Sequence, residues 1–247
     1  MKNIVLAAGY ATRLYPLTEN FPKPLLPVGD KPILNWLLDD IDALPEVTEH
    51  VIISNHKFVK HFQEWKEQQS YSKPIVILDD GSTDNEHRLG AVKDILFAVE
   101  ELNIQEDALV IAGDNLVDFS FGEFIGFVKE KATSCVMCHE ENVLEKQQKT
   151  AIIKRDENGM ITSYQEKPKV PKGNLAVPPF YYYRAEDLQR IGEAIENGCN
   201  VDAPGSLAAW LSGKTEMHAW LMSGKRYDIG DMKSYENVKT VFVKDKE

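Results

Sequence analysis

Long apolar runs are missing: nothing in the 247 residues approaches the 18 consecutive apolar positions of a membrane-spanning helix, so none is expected. The opening "MKNIVLAAGYATRL" lacks a full hydrophobic region and a small-residue cleavage pattern, so no export signal is expected and the chain is placed in the cytoplasm. Cysteine is scarce. Its three copies, an odd number, suit a reducing compartment rather than a disulfide framework. Two of them spell "CVMCH" with His139, the string of c-type haem attachment. Yet "ATSCVMCHE" has the character of a buried strand, where an offset of three turns Cys135 and Cys138 to opposite faces, and two packed thiols are expected. Cys199 has no partner spacing. Positive charge is also short: 28 Lys and Arg against 39 Asp and Glu leave −11, which opposes encounter with nucleic acid or an anionic membrane. Linkers, internal repeats and low-complexity tracts are absent, so a single domain over 1–247 is expected.

What is present has the ordinary globular mix, 43% hydrophobic and 27% charged. Short apolar runs recur as "NIVLAA" (3–8), "HVIIS" (50–54), "PIVIL" (74–78) and "ALVIAG" (108–113). Helical patterns separate them: "PILNWLLDDIDAL" (32–44), "FVKHFQEWKEQ" (58–68) and "AVKDILFAVEEL" (91–102). This alternation implies right-handed crossovers and an α/β fold, a Rossmann-like mixed, mainly parallel sheet flanked by helices. Beyond about residue 130 the pattern changes to strands in "TAIIKRD", "MITSYQEK" and "AVPPFYYYR", with "NG" at 158–159 marking a tight hairpin. Helices are expected at 185–197 and 231–243, and a strand near 215–221. The extra strands are read as a small β-rich lobe.

In such sheets ligands bind beyond the carboxyl ends of the strands, so the residues that follow each apolar run matter most. After the first run the loop carries Arg13, Lys23 and four prolines at 16, 22, 24 and 27, which restrict the backbone and hold Lys23 in place. Residues 1–34 set Lys2, Arg13, Lys23 and Lys31 against Glu19 and Asp30, a local excess of +2 in an acidic chain that suits a small anion. The loop is neither a Walker P-loop nor a G-x-G-x-x-G fingerprint, which argues against an NAD-dependent oxidoreductase. Further candidate segments are "DDGSTDNEHRLG" after the third run, "GDN" (113–115) after the fourth and "YDIGD" (227–231) late in the chain.

The stretch "LAAGYATRLYPLTENFPKPLLPVG" resembles the signature of the sugar-1-phosphate nucleotidylyltransferases, and "GDN", "EKP" (166–168), "GNLA" (173–176) and "YDIG" (227–230) follow in that family's order. The resemblance covers about residues 3–238. It implies a nucleotide-binding half over about 1–130 and a sugar-binding half over about 131–247. It also implies a reaction in which an NTP and a sugar 1-phosphate yield an NDP-sugar and pyrophosphate by direct in-line attack. Such chemistry needs positioning and charge neutralisation rather than a protein nucleophile. Carried over by motif, Arg13 and Lys23 would be catalytic. Leu6, Ala7, Ala8, Gly9, Tyr10, Ala11 and Thr12 would bind the nucleotide together with Arg88, Leu89, Gly90 and Asp114. Asn115, Glu166, Lys167, Asn174 and Tyr181 would bind the acceptor, Glu166 through sugar hydroxyls and Lys167 through its phosphate. Asp114 and Asp228 would hold Mg²⁺, a hard cation suited to carboxylates and phosphate oxygens. Arg13, Lys23, Asp114, Lys167 and Asp228 are expected to form one site.

Three departures from the family pattern stand out. Ala11 replaces a usual Gly, and would cost about 1 kcal/mol if the position needs a positive φ. "RLGAVKD" replaces a small-residue run, which leaves the base open: dTTP or UTP is favoured, with CTP or GTP next. Pro178 and Pro179 stand where a Gly often precedes the sugar-site aromatic, so the sugar is open too. "DAPGSLAAWL" (202–211) reads as a helix begun by Asp202, or as a cover for the sugar pocket. No β-helix domain for acyl transfer is expected after the last helix, so transferase activity alone is expected. A homo-oligomer is compatible with the chain. Two alternatives stay open: a cytidylyltransferase acting on phosphocholine or another non-sugar phosphomonoester, and a catalytically silent sensor of nucleotide sugars. Retention of the Arg, the Lys and both Asp residues argues against the sensor.

Overall fold

A computed structural model describes residues 1–242. The first apolar run forms β1 (Lys2–Leu6), followed by the irregular loop, the two-residue strands β2 (Pro27–Val28) and β3 (Lys31–Pro32), and α1 (Ile33–Asp42). Next come β4 (Glu49–Ser54), α2 (Val59–Glu67), β5 (Ile75–Asp79), α3 (Ala91–Glu101), β6 (Ala108–Ala112), β7 (Asn115–Val117) and α4 (Phe121–Lys131). Then follow β8 (Ser134–Glu140), α5 (Leu144–Gln147), β9 (Ala151–Arg155), β10 (Ile161–Glu166), β11 (Leu175–Val177) and β12 (Phe180–Tyr183). The remainder is α6 (Ala185–Leu188), α7 (Ile191–Glu196), α8 (Gly205–Leu211), β13 (Met217–Leu221), β14 (Arg226–Asp228) and α9 (Met232–Val241). The fold class is the expected one: α/β, mixed in strand direction, with flanking helices. Among the described residues no helix is long and apolar enough to cross a membrane.

Two compact units interleave along the chain, each drawing segments from both sides of residue 130. The first takes Lys2–Arg88, Ala112–Phe121 and the described residues from Ser223 onward. Here β1 pairs with β4 and β4 with β5, all parallel, so the strands are buried and read as continuous apolar runs. Helix α1 buries Ile33, Leu34, Leu37, Leu38 and Ile41, a stripe at three- and four-residue spacing. Late in the chain β14 pairs antiparallel with β7, so Asp228 stands opposite Asn115.

The second unit takes Met1, Leu89–Ile111 and Gly122–Met222. In it β12 pairs antiparallel with both β6 and β8, and β13 lies parallel to β8. The β-rich lobe is the antiparallel set β9, β10 and β11. Its hairpin turns at "NG" as expected, with Gly159 at φ 87 and the Asp156 N–H donating to the Met160 carbonyl at 2.9 Å. Cys135 and Cys138 are buried free thiols, and burial pushes both up to about 11.

Several expected elements differ. The strand over 176–184 is split into β11 and β12 because Pro178 and Pro179 offer no N–H to a ladder. The helix over 185–197 is two short helices, α6 and α7. The helix expected to begin at Asp202 begins at Gly205, with Pro204 as its cap and no capping side chain. The helix over 231–243 is α9, begun by a capping box between Asp231 and Ser234; residue 243 lies outside the described residues. Helix α4 and the short β7–β14 ribbon were not anticipated, since Gly122 and Gly126 weaken the helical signal and three-residue strands carry no period.

Candidate active site

The opening loop of the first unit leaves β1 with the Ala7 N–H donating to the Ile53 carbonyl at 2.9 Å. The next four backbone N–H groups, from Ala8 to Ala11, donate to no acceptor among the described residues. Two of the loop's carbonyls, by contrast, are held. Asn55, fully buried at the end of β4, donates its amide to the Ala8 carbonyl at 2.9 Å, and Thr18 donates its hydroxyl to the Ala11 carbonyl at 2.8 Å. Tyr10 is anchored separately, its hydroxyl donating to the Ser82 carbonyl at 2.9 Å. Consecutive free amides on a loop pinned by its first and last carbonyls can form an anion cradle. Ala11 sits at φ 46, ψ 41, so the position does require the left-handed region.

Lys23 begins a turn of 3-10 helix between Pro22 and Pro24 and is only 6% exposed. Its ammonium donates to Asp114 Oδ2 at 2.7 Å. Asp114 Oδ1 accepts from the Asn115 amide at 2.7 Å, Asn115 Oδ1 accepts from Arg226 Nε at 2.6 Å, and Arg226 Nη2 meets Asp228 Oδ1 at 3.0 Å. The β7–β14 register makes this chain of alternating charge, since Asp228 faces Asn115. Gly113 admits the approach: a Cβ there would stand 2.9 Å from Val5, and its N–H donates to the Leu6 carbonyl. Burial pushes the Asp114 carboxyl up, but the Lys23 ammonium and the Arg226 guanidinium outweigh it and hold the group below the ordinary carboxylate range.

Four residues of the site, Arg13, Lys23, Asn115 and Asp228, have an apolar neighbour in one cluster. Leu14 follows Arg13, Leu26 closes the turn begun by Lys23, Leu116 follows Asn115 and Ile229 follows Asp228, all packed with Tyr235 and Val238 of α9. Arg13 is exposed, and a Cβ at Gly230 would stand 3.9 Å from its guanidinium and 3.8 Å from Asp228 Oδ2. Arg13, Lys23, Asp114 and Asp228 therefore gather around the loop. As for Mg²⁺, the donor set fits. Two carboxylates, one just before β7 and one on β14, beside an anion cradle match a cation held by one or two Asp residues plus phosphate oxygens, and Asp228 Oδ2 has no hydrogen bond among the described residues. No group of three or more His, Cys, Asp or Glu able to hold a metal by itself occurs among the described residues.

The acceptor candidates lie in the second unit, Asn115 excepted. Glu166 ends β10 and lines a cavity of about 530 Å³ with Lys167, Asn200, Asp202, Ser206 and Trp210. Burial pushes its carboxyl up, and Lys167 only partly offsets this. Lys167 is exposed and holds φ 45, a left-handed conformation that for a lysine marks a constrained site. Asn174 is not brought to it. Leu175 pairs with Ile153 while Glu166 pairs with Ala151, so Asn174 lies three register positions further along β9, about 10 Å in the strand direction, and on the opposite side of β9 from β10. Tyr181 is 2% exposed and stacked on Tyr183 at 5.8 Å. Asn115 is 1% exposed with its amide engaged by Asp114 and Arg226, so it bridges the charged chain. Arg88 is exposed and donates to the Asn85 carbonyl, Leu89 is half-buried, and Gly90 begins α3. Sequence reasoning missed Asn55, Thr18 and Arg226. Asn55 follows the second apolar run directly, and inspection of that position would have found it.

The chain matches the family described as nucleotidyl transferase over residues 2–244. It is similar to the bifunctional protein GlmU of Methanococcus aeolicus, 31% identical over 185 residues, 74% of this chain and 40% of that one. It is also similar to a UTP–glucose-1-phosphate uridylyltransferase of Haloferax volcanii, 26% identical over 242 residues, 93% of this chain and 91% of that one. The chain spans half the length or less of some curated relatives that it matches. In fold it is similar to the crystal structure of a UDP-glucose pyrophosphorylase complexed with UDP-glucose, with a TM-score of 0.80, 21% identity and 97% of both chains covered.

Proposed function

The chain belongs to the nucleotidyl transferase family, and from that premise we propose that it joins an NTP to a sugar 1-phosphate, giving an NDP-sugar and pyrophosphate. The observation that carries this reading is the charged chain Lys23–Asp114–Asn115–Arg226–Asp228 beside a loop with four free amides. The amides and Arg13 take the triphosphate. A phosphate oxygen of the acceptor attacks the α-phosphorus, the bond from the α-phosphorus to the bridging oxygen breaks, and pyrophosphate leaves with that oxygen. No proton need move, so the protein's task is to hold the reactants in line and offset charge. Lys23 is already rigid through Asp114 and presents its charge without reorganisation. Asp114 and Asp228 would hold Mg²⁺, which supplies further neutralisation of the phosphates when bound. Glu166 and Lys167 take the acceptor, the lysine through its phosphate.

UTP or dTTP is the favoured nucleotide; the Haloferax volcanii relative is named for UTP and glucose 1-phosphate. Phosphocholine is disfavoured as acceptor, because Tyr181 and Tyr183 stack on each other in the core and the Tyr182 hydroxyl donates to Asp107, leaving no aromatic cage from these three. The test is pyrophosphate release with Mg²⁺ over a grid of dTTP, UTP, CTP, GTP and ATP against several sugar 1-phosphates and phosphocholine. Release with a sugar 1-phosphate supports the reading. Release with phosphocholine alone replaces it, and silence with nucleotide-dependent thermal stabilisation favours a sensor.

A further inference from the structure

Among the described residues, the buried polar atoms Tyr164 Oη, Glu166 Oε2 and Tyr183 Oη of the second unit have no hydrogen-bond partner. Native proteins rarely leave such atoms alone, because a buried donor or acceptor without a partner is costly, and a group of them signals a missing polar companion. They are neighbours. Tyr164 and Glu166 are two residues apart on β10 and share a face of that strand. Both lie against Gly205 at the start of α8, where an added Cβ would stand 2.5 Å from Glu166 Oε2 and 3.2 Å from the Tyr164 hydroxyl. Glycine thus lets both polar atoms pack directly against the start of α8, where any side chain would displace the carboxylate. Ser206, the next residue, lines the cavity that Glu166 also lines.

A carboxylate oxygen accepts, and a phenol both donates and accepts. The partner that fits both at once is a neutral hydroxyl group, which donates to Glu166 and accepts from Tyr164. A cationic head group offers nothing to the phenol hydrogen. We infer that Tyr164 is a specificity-determining residue that, beside Glu166, reads one hydroxyl group of a polyol acceptor. The inference rests on the acceptor assignment of Glu166 proposed above and adds Tyr164 as a second residue that reads the hydroxyl there.

The experiment compares the full chain and its Tyr164→Phe variant in calorimetric titrations with glucose 1-phosphate and its 2-, 3-, 4- and 6-deoxy analogues, with pyrophosphate release measured in parallel. Tyr164→Phe is expected to weaken binding of glucose 1-phosphate about tenfold and to leave unchanged the binding of the one analogue that lacks the hydroxyl read by Tyr164. The KM for the nucleotide stays constant, and the Tm of the free protein rises because an unpartnered hydroxyl has been removed. Equal weakening toward every analogue, no weakening at all, or no binding of any probe overturns the inference. Selective binding without pyrophosphate release supports the role of Tyr164 and overturns the transferase reading, so the two fail separately.

Discussion

The charged groups of the first unit and the polar groups of the second wait for their ligands in opposite states. Around the opening loop, Lys23, Asp114, Arg226 and Asp228 are joined in one alternating chain. Around Gly205, Tyr164 Oη and Glu166 Oε2 have no hydrogen-bond partners among the described residues. The difference follows from magnitude. An uncompensated buried charge costs several kcal/mol, so a site built of charges is paired within the protein before a ligand arrives. An unpartnered hydroxyl costs about 1–3 kcal/mol, which a domain can sustain, and burial pushes the Glu166 carboxyl up, towards its neutral form.

The largest expected effect breaks the paired side. Lys23→Ala should lower kcat by about 10²–10³-fold. Folding should suffer by only about 1–2 kcal/mol, because Asp114 keeps an exposed edge, at 37% of its side chain, and the charge of Arg226. Turnover and urea melts measured together check this, and equal losses in both would erase the distinction drawn here. Next, Gly205→Ala should raise the KM of the acceptor by about tenfold or more through an overpacking penalty of about 1–3 kcal/mol, with the KM of the nucleotide unchanged. A rise in both KM values would show that the second unit's polar group is not specific to the acceptor.

Smaller effects sharpen the comparison. His50 is buried between Asn3 and Asp42, and burial pushes its pKa below the ordinary 6.5 despite Asp42. The unfolded chain takes a proton near pH 6.5 that the folded chain resists, so stability is lost as pH falls below that value. Asp42, held below its ordinary value of 3.8 by the Ser72 and Lys73 amides and His50 in spite of burial, acts only at lower pH. Melts at pH 7 and 5.5 should show a lower Tm at 5.5, with the slope reduced in His50→Gln. The smallest effect is Ala11→Gly. At φ 46 the alanine is strained, and glycine should stabilise by about 1 kcal/mol if the relief exceeds the added freedom of the unfolded loop.

The parallel strands were legible because burial on both faces produces uninterrupted apolar runs. The loop's charged residues were legible through their position after such runs and through the ordered motifs. The link between Asp114 and Asp228 was legible only by resemblance. Nothing local in "YDIG" says that it pairs with "NLV", since three-residue strands have no period to read. Tyr164 was hidden for another reason: in "ITSYQE" it looks like any half-buried strand residue, and its distinction lies in a buried hydroxyl packed against Gly205, on a distant segment. Asn174 shows the reverse, a motif residue that the register carries away from Glu166.

The β7–β14 ribbon also bears on the order in which the chain is made. Asn115 and Arg226 are 111 positions apart, so at about 5–20 residues per second several seconds of synthesis separate the two strands. During that interval Lys23 and Asp114 exist while Arg226 and Asp228 do not. A chain interrupted before residue 226 carries the whole opening loop and the first aspartate, yet has only half of the charge chain. Synthesis must therefore run nearly to the last helix before the charged chain can close, and a shortened product would lack it however well its first strands had formed.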